Sequence, residues 1–150
     1  MGKITEILLE TMQQNLLKLI FAIVYLVVDL TYVFISKGFY TNVAVRIQGS
    51  SFPPSRFMGA MLAYIALVVG WWFFAANLAN IFSQRLSPFV AGAIAGALYG
   101  FVVYGVFNGT LYVMFDEYKT NVVLRDLLWG IVSASTITAF YAFASKTMKK

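Results

Sequence analysis

The sequence predicts an all-α polytopic membrane protein, a four-transmembrane-helix antiparallel bundle entered through an amphipathic N-terminal helix. Three observations predict it. The 150 residues are 61% hydrophobic and only 11% charged, against about 25% charged in an ordinary soluble domain, so the polar skin is too thin for a water-soluble fold of this length. Four apolar segments each reach the roughly 20 residues a helix needs to cross the ~30 Å hydrocarbon core. No series of alternating segments of about 10 residues, the mark of a membrane β-barrel, dominates. Backbone polar groups in lipid must be satisfied within their own segment, which selects helices. The length allows one domain, residues 1–150.

Taken in order, Ile4, Ile7, Leu8 and Met12 recur at helical spacing opposite Thr5, Glu6, Gln13 and Gln14. This stretch reads as an amphipathic helix, lying on the membrane surface or running straight into the first span. It does not read as a cleaved signal peptide, because Glu6 and Glu10 come early and no small-residue cleavage pattern follows. The first span covers residues 16–35. The one sizeable loop, 36–57, carries Phe39, Val43 and Ile47 at helical spacing, then Gly49-Ser50-Ser51 and Pro53-Pro54, which break regular structure. A short interfacial helix is expected there, with a strand through residues 42–48 as the alternative. The second span covers 58–82 and the third 88–115, joined by the short turn 83–87, so the two are antiparallel neighbours. The fourth covers 127–144 after the turn 116–126.

Four spans put both termini on one side of the membrane. That side carries Lys3, Lys18, Arg85, Lys146, Lys149 and Lys150, against Lys37, Arg46, Arg56, Lys119 and Arg125 on the other, which favours cytoplasmic termini. The formal net charge of +5 and the Lys146/Lys149/Lys150 tail point to lipid headgroups as partners. No basic groove with stacking aromatics is visible, so nucleic acid is not an expected partner.

Apolar surface does not drive helices together in lipid; close backbone approach and interhelical hydrogen bonds do. Gly92, Gly96 and Gly100 in the third span form two consecutive small-residue motifs, with alanines between. Two readings stand: packing inside one subunit, or joining two copies into a homo-oligomer. Ser133, Ser135, Thr136 and Thr138 in the fourth span are expected to act as polar glue. Trp71 and Trp72 fall mid-span, so they face lipid or a neighbouring helix rather than an interfacial aromatic belt.

Asp29 is the residue that most needs an explanation. It lies about six residues from the end of the first span, roughly 9 Å deep at 1.5 Å per residue. A carboxylate near a helix centre costs about 2.5–3.5 kcal/mol on insertion scales, so it needs a partner or a proton. Tyr25, Asp29, Tyr32 and Ser36 share one polar face. Chain direction brings Tyr104 and Asn108 of the third span, with Tyr112 on the same face, and Asp126, Trp129 and Ser133 at the start of the fourth, into the same half of the bilayer. Arg56 and Arg125 stand at that surface as candidate counter-charges, whereas Asn77 and Asn80 lie at the opposite end. The cluster either fixes helix register by hydrogen bonding or lines a small cavity for a solute, a proton or a lipid headgroup.

Enzyme classes find little support. With neither Cys nor His in the chain, thiolate nucleophiles, disulfides, Cys/His zinc sites and His general bases are excluded. Phosphate-cradling glycine loops and a nucleophile elbow are absent. An intramembrane aspartyl protease would show Tyr-Asp and Gly-x-Gly-Asp motifs, and neither occurs. Nothing calls for a cofactor, a metal or a catalytic residue. Asn108-Gly109-Thr110 has the form of a glycosylation sequon but lies within a span.

Asp29-x-x-Tyr32, Phe39-Tyr40, Tyr104-Gly105-Val106-Phe107-Asn108-x-Thr110 and Asp126-x-x-Trp129-Gly130 follow one another in that order. This resembles a family of four-span predicted membrane proteins of unknown function, with bacterial members and relatives in large DNA viruses of algae. The resemblance runs from about Leu16 to the end of the chain. It implies Trp as the usual residue at position 32, Asp at 108, and Thr-Asn where this chain has Thr110-Leu111, so a second family acid is missing here. It supports the architecture and brings no activity. The expected role is therefore non-enzymatic: a structural, anchoring or assembly component in contact with lipids and other membrane or scaffold proteins. If the viral relatives are the nearer ones, that membrane is a virion's internal one. The alternative is a small transporter or channel subunit built on the Asp29/Asn108 cluster, and a membrane enzyme is a third, more distant class.

Overall fold

The computed structural model describes residues 2–148 and is helical throughout. Helix α1 is a single rod, Lys3–Ile35, so the amphipathic N-terminal stretch runs without a break into the first span. Its 33 residues extend about 50 Å at 1.5 Å per residue, well beyond the hydrocarbon thickness. Residues 3–13 are exposed on every side, and the bundle begins at Gln14 and Leu17. The chain bends at Ser36 into the short helix α2, Lys37–Gln48, which settles the 36–57 loop in favour of helix over strand. Gly49 ends α2 in the left-handed region (φ 73°), where a side chain would be strained.

The second membrane rod runs from Phe57 to Phe82 in three sections: α3 (Phe57–Gly70), a π-helical turn (Trp71–Ala75) and α4 (Ala76–Phe82). A π turn accommodates one extra residue and disturbs the i→i−4 ladder. Beside it the Tyr99 hydroxyl donates to the Leu67 carbonyl (2.6 Å), and Gly70 allows that approach, since a Cβ there would meet the Tyr99 hydroxyl. Helix α5 (Pro88–Met114) opens with Pro at its first position, where no backbone N–H is needed. Helix α6 (Thr120–Thr147) starts seven residues earlier and ends three later than the sequence suggests.

All four rods are long and apolar enough to be membrane spans. Their outer faces carry large apolar side chains such as Phe34, Phe74 and Val113, while Asp29, Asn108, Asp126, Ser133, Thr138 and Ser145 are buried inside. This apolar-out, polar-in arrangement is what lipid imposes.

Helices α5 and α6 form the central pair. Gly92 lies against the backbone of Thr138 and Ala139, Gly96 against Ala134, and Gly100 against Gly130 and Ile131, so a Cβ at any of the three would collide with the facing main chain. Ser135 Oγ adds a hydrogen bond to the Ala93 carbonyl (3.0 Å). The glycine stripe is thus occupied by α6 of the same chain, the first of the two readings, and α6 rather than a second copy covers that face. Thr136 faces outward and takes no part in this glue. Trp71 is fully buried, donates Nε1–H to Thr138 Oγ1 (2.9 Å), and sits between the rings of Tyr25 and Tyr141. Trp72 is half-buried, and Phe73 and Phe74 face outward. At the far end Lys18 Nζ donates to Asn77 Oδ1 (2.7 Å), apart from the Asp29 cluster, as the sequence suggests.

Candidate functional site

The site forms where α1, α2, α5 and α6 meet. Asp29 is 5% exposed. Its Oδ1 accepts from the Tyr104 hydroxyl of α5 (2.6 Å) and from Trp129 Nε1 of α6 (2.8 Å). Among the described residues nothing donates to its Oδ2.

Asp126 is a second buried carboxylate. The sequence puts it at the start of the fourth span, just outside residues 127–144. Because α6 begins at Thr120, Asp126 lies about 9 Å along the helix and is 8% exposed. Both its oxygens are engaged: Oδ1 accepts from the Tyr40 hydroxyl (2.7 Å) and Oδ2 from Asn108 Nδ2 (2.7 Å). Asn108 uses its other amide proton on the Tyr104 carbonyl (2.8 Å) and accepts at Oδ1 from the Tyr118 hydroxyl (2.6 Å). A fully buried amide is therefore satisfied on both its nitrogen and its oxygen.

Neither arginine reaches a carboxylate. Arg125 donates to the Tyr32 hydroxyl (3.3 Å) and to Ser36 Oγ (3.0 Å), with its guanidinium 4.4 Å from the Phe39 ring centre. The Tyr32 and Tyr40 hydroxyls are 3.1 Å apart. Since Tyr40 spends its single proton on Asp126, Tyr32 is the donor between them. Arg125, Tyr32, Tyr40 and Asp126 thus form a chain of hydrogen bonds that carries a cation's polarisation to Asp126. Asp29 has no such link. Among the described residues the one ion pair is the exposed Lys119–Glu117. Burial raises Tyr40 and Tyr118 above the ordinary tyrosine range; the Tyr32 and Asp126 hydrogen bonds raise Tyr40 further, and the Asp126 charge adds to the rise at Tyr118.

A cavity of about 880 Å³ opens beside this network, in the gap between α3 and α5. The second rod meets α5 mainly through its π turn and α4, so α3 stands off. The small side chains Ala60, Ala63 and Ala66 line the α3 side, and Val103, Phe107 and Leu111 the α5 side. Asp29, Tyr32, Tyr40, Tyr104, Asp126 and Trp129 make the polar wall, with Tyr32 stacked on Trp129 (4.1 Å, 9°). Arg56 and Gln48 also line the cavity, joined by a 2.7 Å hydrogen bond from guanidinium to side-chain carbonyl.

Of the residues expected in the cluster, Asp29, Tyr32, Tyr104, Asp126 and Trp129 line the cavity, and Asn108 braces it from behind. Tyr25 and Ser133 are buried deeper and are not on its wall; among the described residues the Tyr25 hydroxyl has no hydrogen-bond partner. Tyr112 is half-exposed and pairs with Thr120 instead, since eight residues along a helix leave a rotation of about 80° from Tyr104. Lys146 is exposed near the end of α6, while Lys149 and Lys150 lie outside the described residues. Tyr40, Tyr64 and Tyr118 are the additions that sequence reasoning missed. Phe39-Tyr40 appears among the family-like motifs, but no helical face within a span includes it, and Tyr118 sits in a turn where periodicity carries no signal.

No curated protein and no solved structure matches the chain. A family model described as "Predicted membrane protein (DUF2177)" matches residues 15–143, which include all four spans' cores and the whole polar wall. The chain belongs to this family of predicted multi-pass membrane proteins of unknown function.

Proposed function

We propose that the chain is a non-catalytic membrane protein that takes an amphiphile from the bilayer into the cavity between α3 and α5. The observation that carries this reading is a space of about 880 Å³ with apolar sides and one polar wall, set between apolar helices. Its size lies within the roughly 300–1,000 Å³ of small-molecule sites, and mostly apolar lining with few convergent polar groups is their usual chemistry. The apolar sides suit a tail, and the tyrosines and carboxylates suit a polar end. Beneath the wall, Tyr25, Trp71 and Tyr141 fill the interior with no exposed surface. That packing argues for a closed-ended binding pocket over a conducting pore.

The hydrogen-bond network favours a second, structural reading. Asp29, Asn108 and Asp126 tie α1, α2, α5 and α6 together at one end. A chain held that rigidly suits an anchoring or assembly component that organises neighbours through its loops and basic tail. In either reading the partners are membrane lipids, and the termini face the cytoplasm with six of the 11 basic residues on their side.

The test is retention of dodecanol by the purified protein in maltoside, read by native mass spectrometry, with Ala63→Trp filling the cavity from α3. The wild type is expected to keep the alcohol and the variant to lose it while its helicity and elution are unchanged. No retention by the wild type, or equal retention by both, would overturn the binding reading.

A further inference from the structure

We propose that the cavity selects amphiphiles whose polar end is a primary ammonium, seated on the free oxygen of Asp29. The inference rests on the amphiphile-binding reading and names its ligand class.

Asp29 is an acid in an apolar bundle, with two donors on Oδ1, none on Oδ2, and no cation within ion-pair distance among the described residues. It is nine-tenths buried, and it lines the cavity. An orphan acceptor of this kind needs a donor from whatever occupies the space. Asp126 is different: both oxygens are used, and Arg125 reaches it through two hydroxyls. The polar wall therefore has one carboxylate oxygen without a donor among the described residues, and a cationic donor there favours the ionised form of the acid. An ammonium group brings N–H donors and the opposite charge together, the stronger form of hydrogen bond. The aromatic rings of Tyr32, Tyr64, Tyr104 and Trp129 line the same cavity, and aromatic faces attract a cation. A sulfate or carboxylate end would meet two acids at the wall and is disfavoured there.

Two sources supply a primary ammonium on an apolar tail: a free long-chain amine and the headgroup of an aminophospholipid. Arg56, which lines the cavity with its guanidinium held by Gln48, offers a site for the phosphate that only the phospholipid has.

The experiment compares dodecylamine with dodecanol and with its neutral amide, N-acetyl-dodecylamine, on full-length protein in maltoside. The wild type is expected to bind the amine about tenfold more tightly than either neutral probe, the ratio one charge-assisted hydrogen bond supplies. Asp29→Asn keeps an acceptor for Tyr104 and Trp129 and is expected to bring that ratio close to one. The neutral amide keeps the test decisive if the variant does not fold, because it removes the charge from the ligand instead. Short-chain phosphatidylethanolamine held over phosphatidylglycerol, and released by Arg56→Gln, would assign the lipid source. An intact amine preference without that discrimination would assign the free amine. Wild-type binding of amine and neutral probes alike, or an unchanged ratio in Asp29→Asn, would overturn the ammonium assignment and leave the cavity reading standing. Binding of none of the probes would overturn both.

Discussion

Replacing Asn108 with Leu removes the amide at the centre of the network while keeping the branching and the number of side-chain heavy atoms. Asn108 is 0% exposed. It makes two hydrogen bonds outside its own helix, to Asp126 Oδ2 (2.7 Å) and from the Tyr118 hydroxyl (2.6 Å). Interhelical hydrogen bonds in membrane proteins average about 0.6 kcal/mol and reach about 1.7, so losing two costs roughly 1–3 kcal/mol. The upper part of that range is expected, because Leu leaves a buried carboxylate oxygen without its donor. The assay is unfolding of maltoside-solubilised protein by dodecyl sulfate, followed by tryptophan fluorescence. A double-mutant cycle with Tyr118→Phe, which deletes only the hydroxyl, isolates one bond and should show a coupling of about 0.6–1.7 kcal/mol. If Asn108→Leu lies within about 0.5 kcal/mol of wild type, the range of an ordinary surface change, or the cycle shows no coupling, the network does not hold the helices.

Two further outcomes are expected. Gly96→Ala places a Cβ into the Ala134 main chain, whereas Gly109→Ala meets nothing within 4 Å; the first should cost about 3 kcal/mol by the same unfolding assay and the second should stay within about 1 kcal/mol of wild type. Equal stabilities would mean that α5 and α6 do not approach along this stripe. The chain has no cysteine, so Ser51→Cys and Gln84→Cys can each be labelled alone with an impermeant thiol reagent in oriented vesicles. The two should react from opposite sides of the membrane, and reaction from the same side would refute the four-span topology.

Much of this architecture is written in the sequence at the level of element type. Four long apolar runs predict four rods, and Phe39, Val43 and Ile47 predict α2, because both signals are local. The start of α6 is not legible, since Thr120, Asn121, Arg125 and Asp126 look like a polar turn. The segment is helical because its inner face is covered: Val122 forms a small core with Val43 of α2 and Tyr118 of the α5–α6 turn, and Asp126 is buried, while Thr120, Asn121 and Arg125 stay exposed. The π turn hides for a different reason: Trp-Trp-Phe-Phe-Ala is apolar throughout, so an extra residue leaves no break in pattern. The glycine stripe is legible as a surface for close approach. Its partner is not, because small residues at this spacing suit a helix of the same chain or of a second copy alike; the structure supplies Gly130, Ala134 and Thr138 of α6. Tyr40 and Tyr118 escape because their contacts depend on how α2 folds over the end of the bundle.

The two buried acids divide the roles that the sequence leaves as alternatives. Asp126 has the environment of a structural group: both oxygens hold donors from other segments, and a cation is coupled to it through Tyr32 and Tyr40. Removing it breaks the hydrogen bonds that tie Tyr40 of α2 and Asn108 of α5 to α6 at this end. Asp29 also holds two neighbours, Tyr104 and Trp129, but it does so through one oxygen and keeps the other toward open space. If register were its whole purpose, a neutral acceptor such as Asn or Gln would satisfy the same two donors without the insertion cost of an acid, about 2.5–3.5 kcal/mol near a helix centre. An acid retained at that cost, with its second oxygen free of donors among the described residues and the cavity beside it, is better explained by an occupant that the carboxyl group recognises. The structural and binding readings therefore attach to different carboxylates of one network, and substitutions at Asp126 and Asp29 separate them.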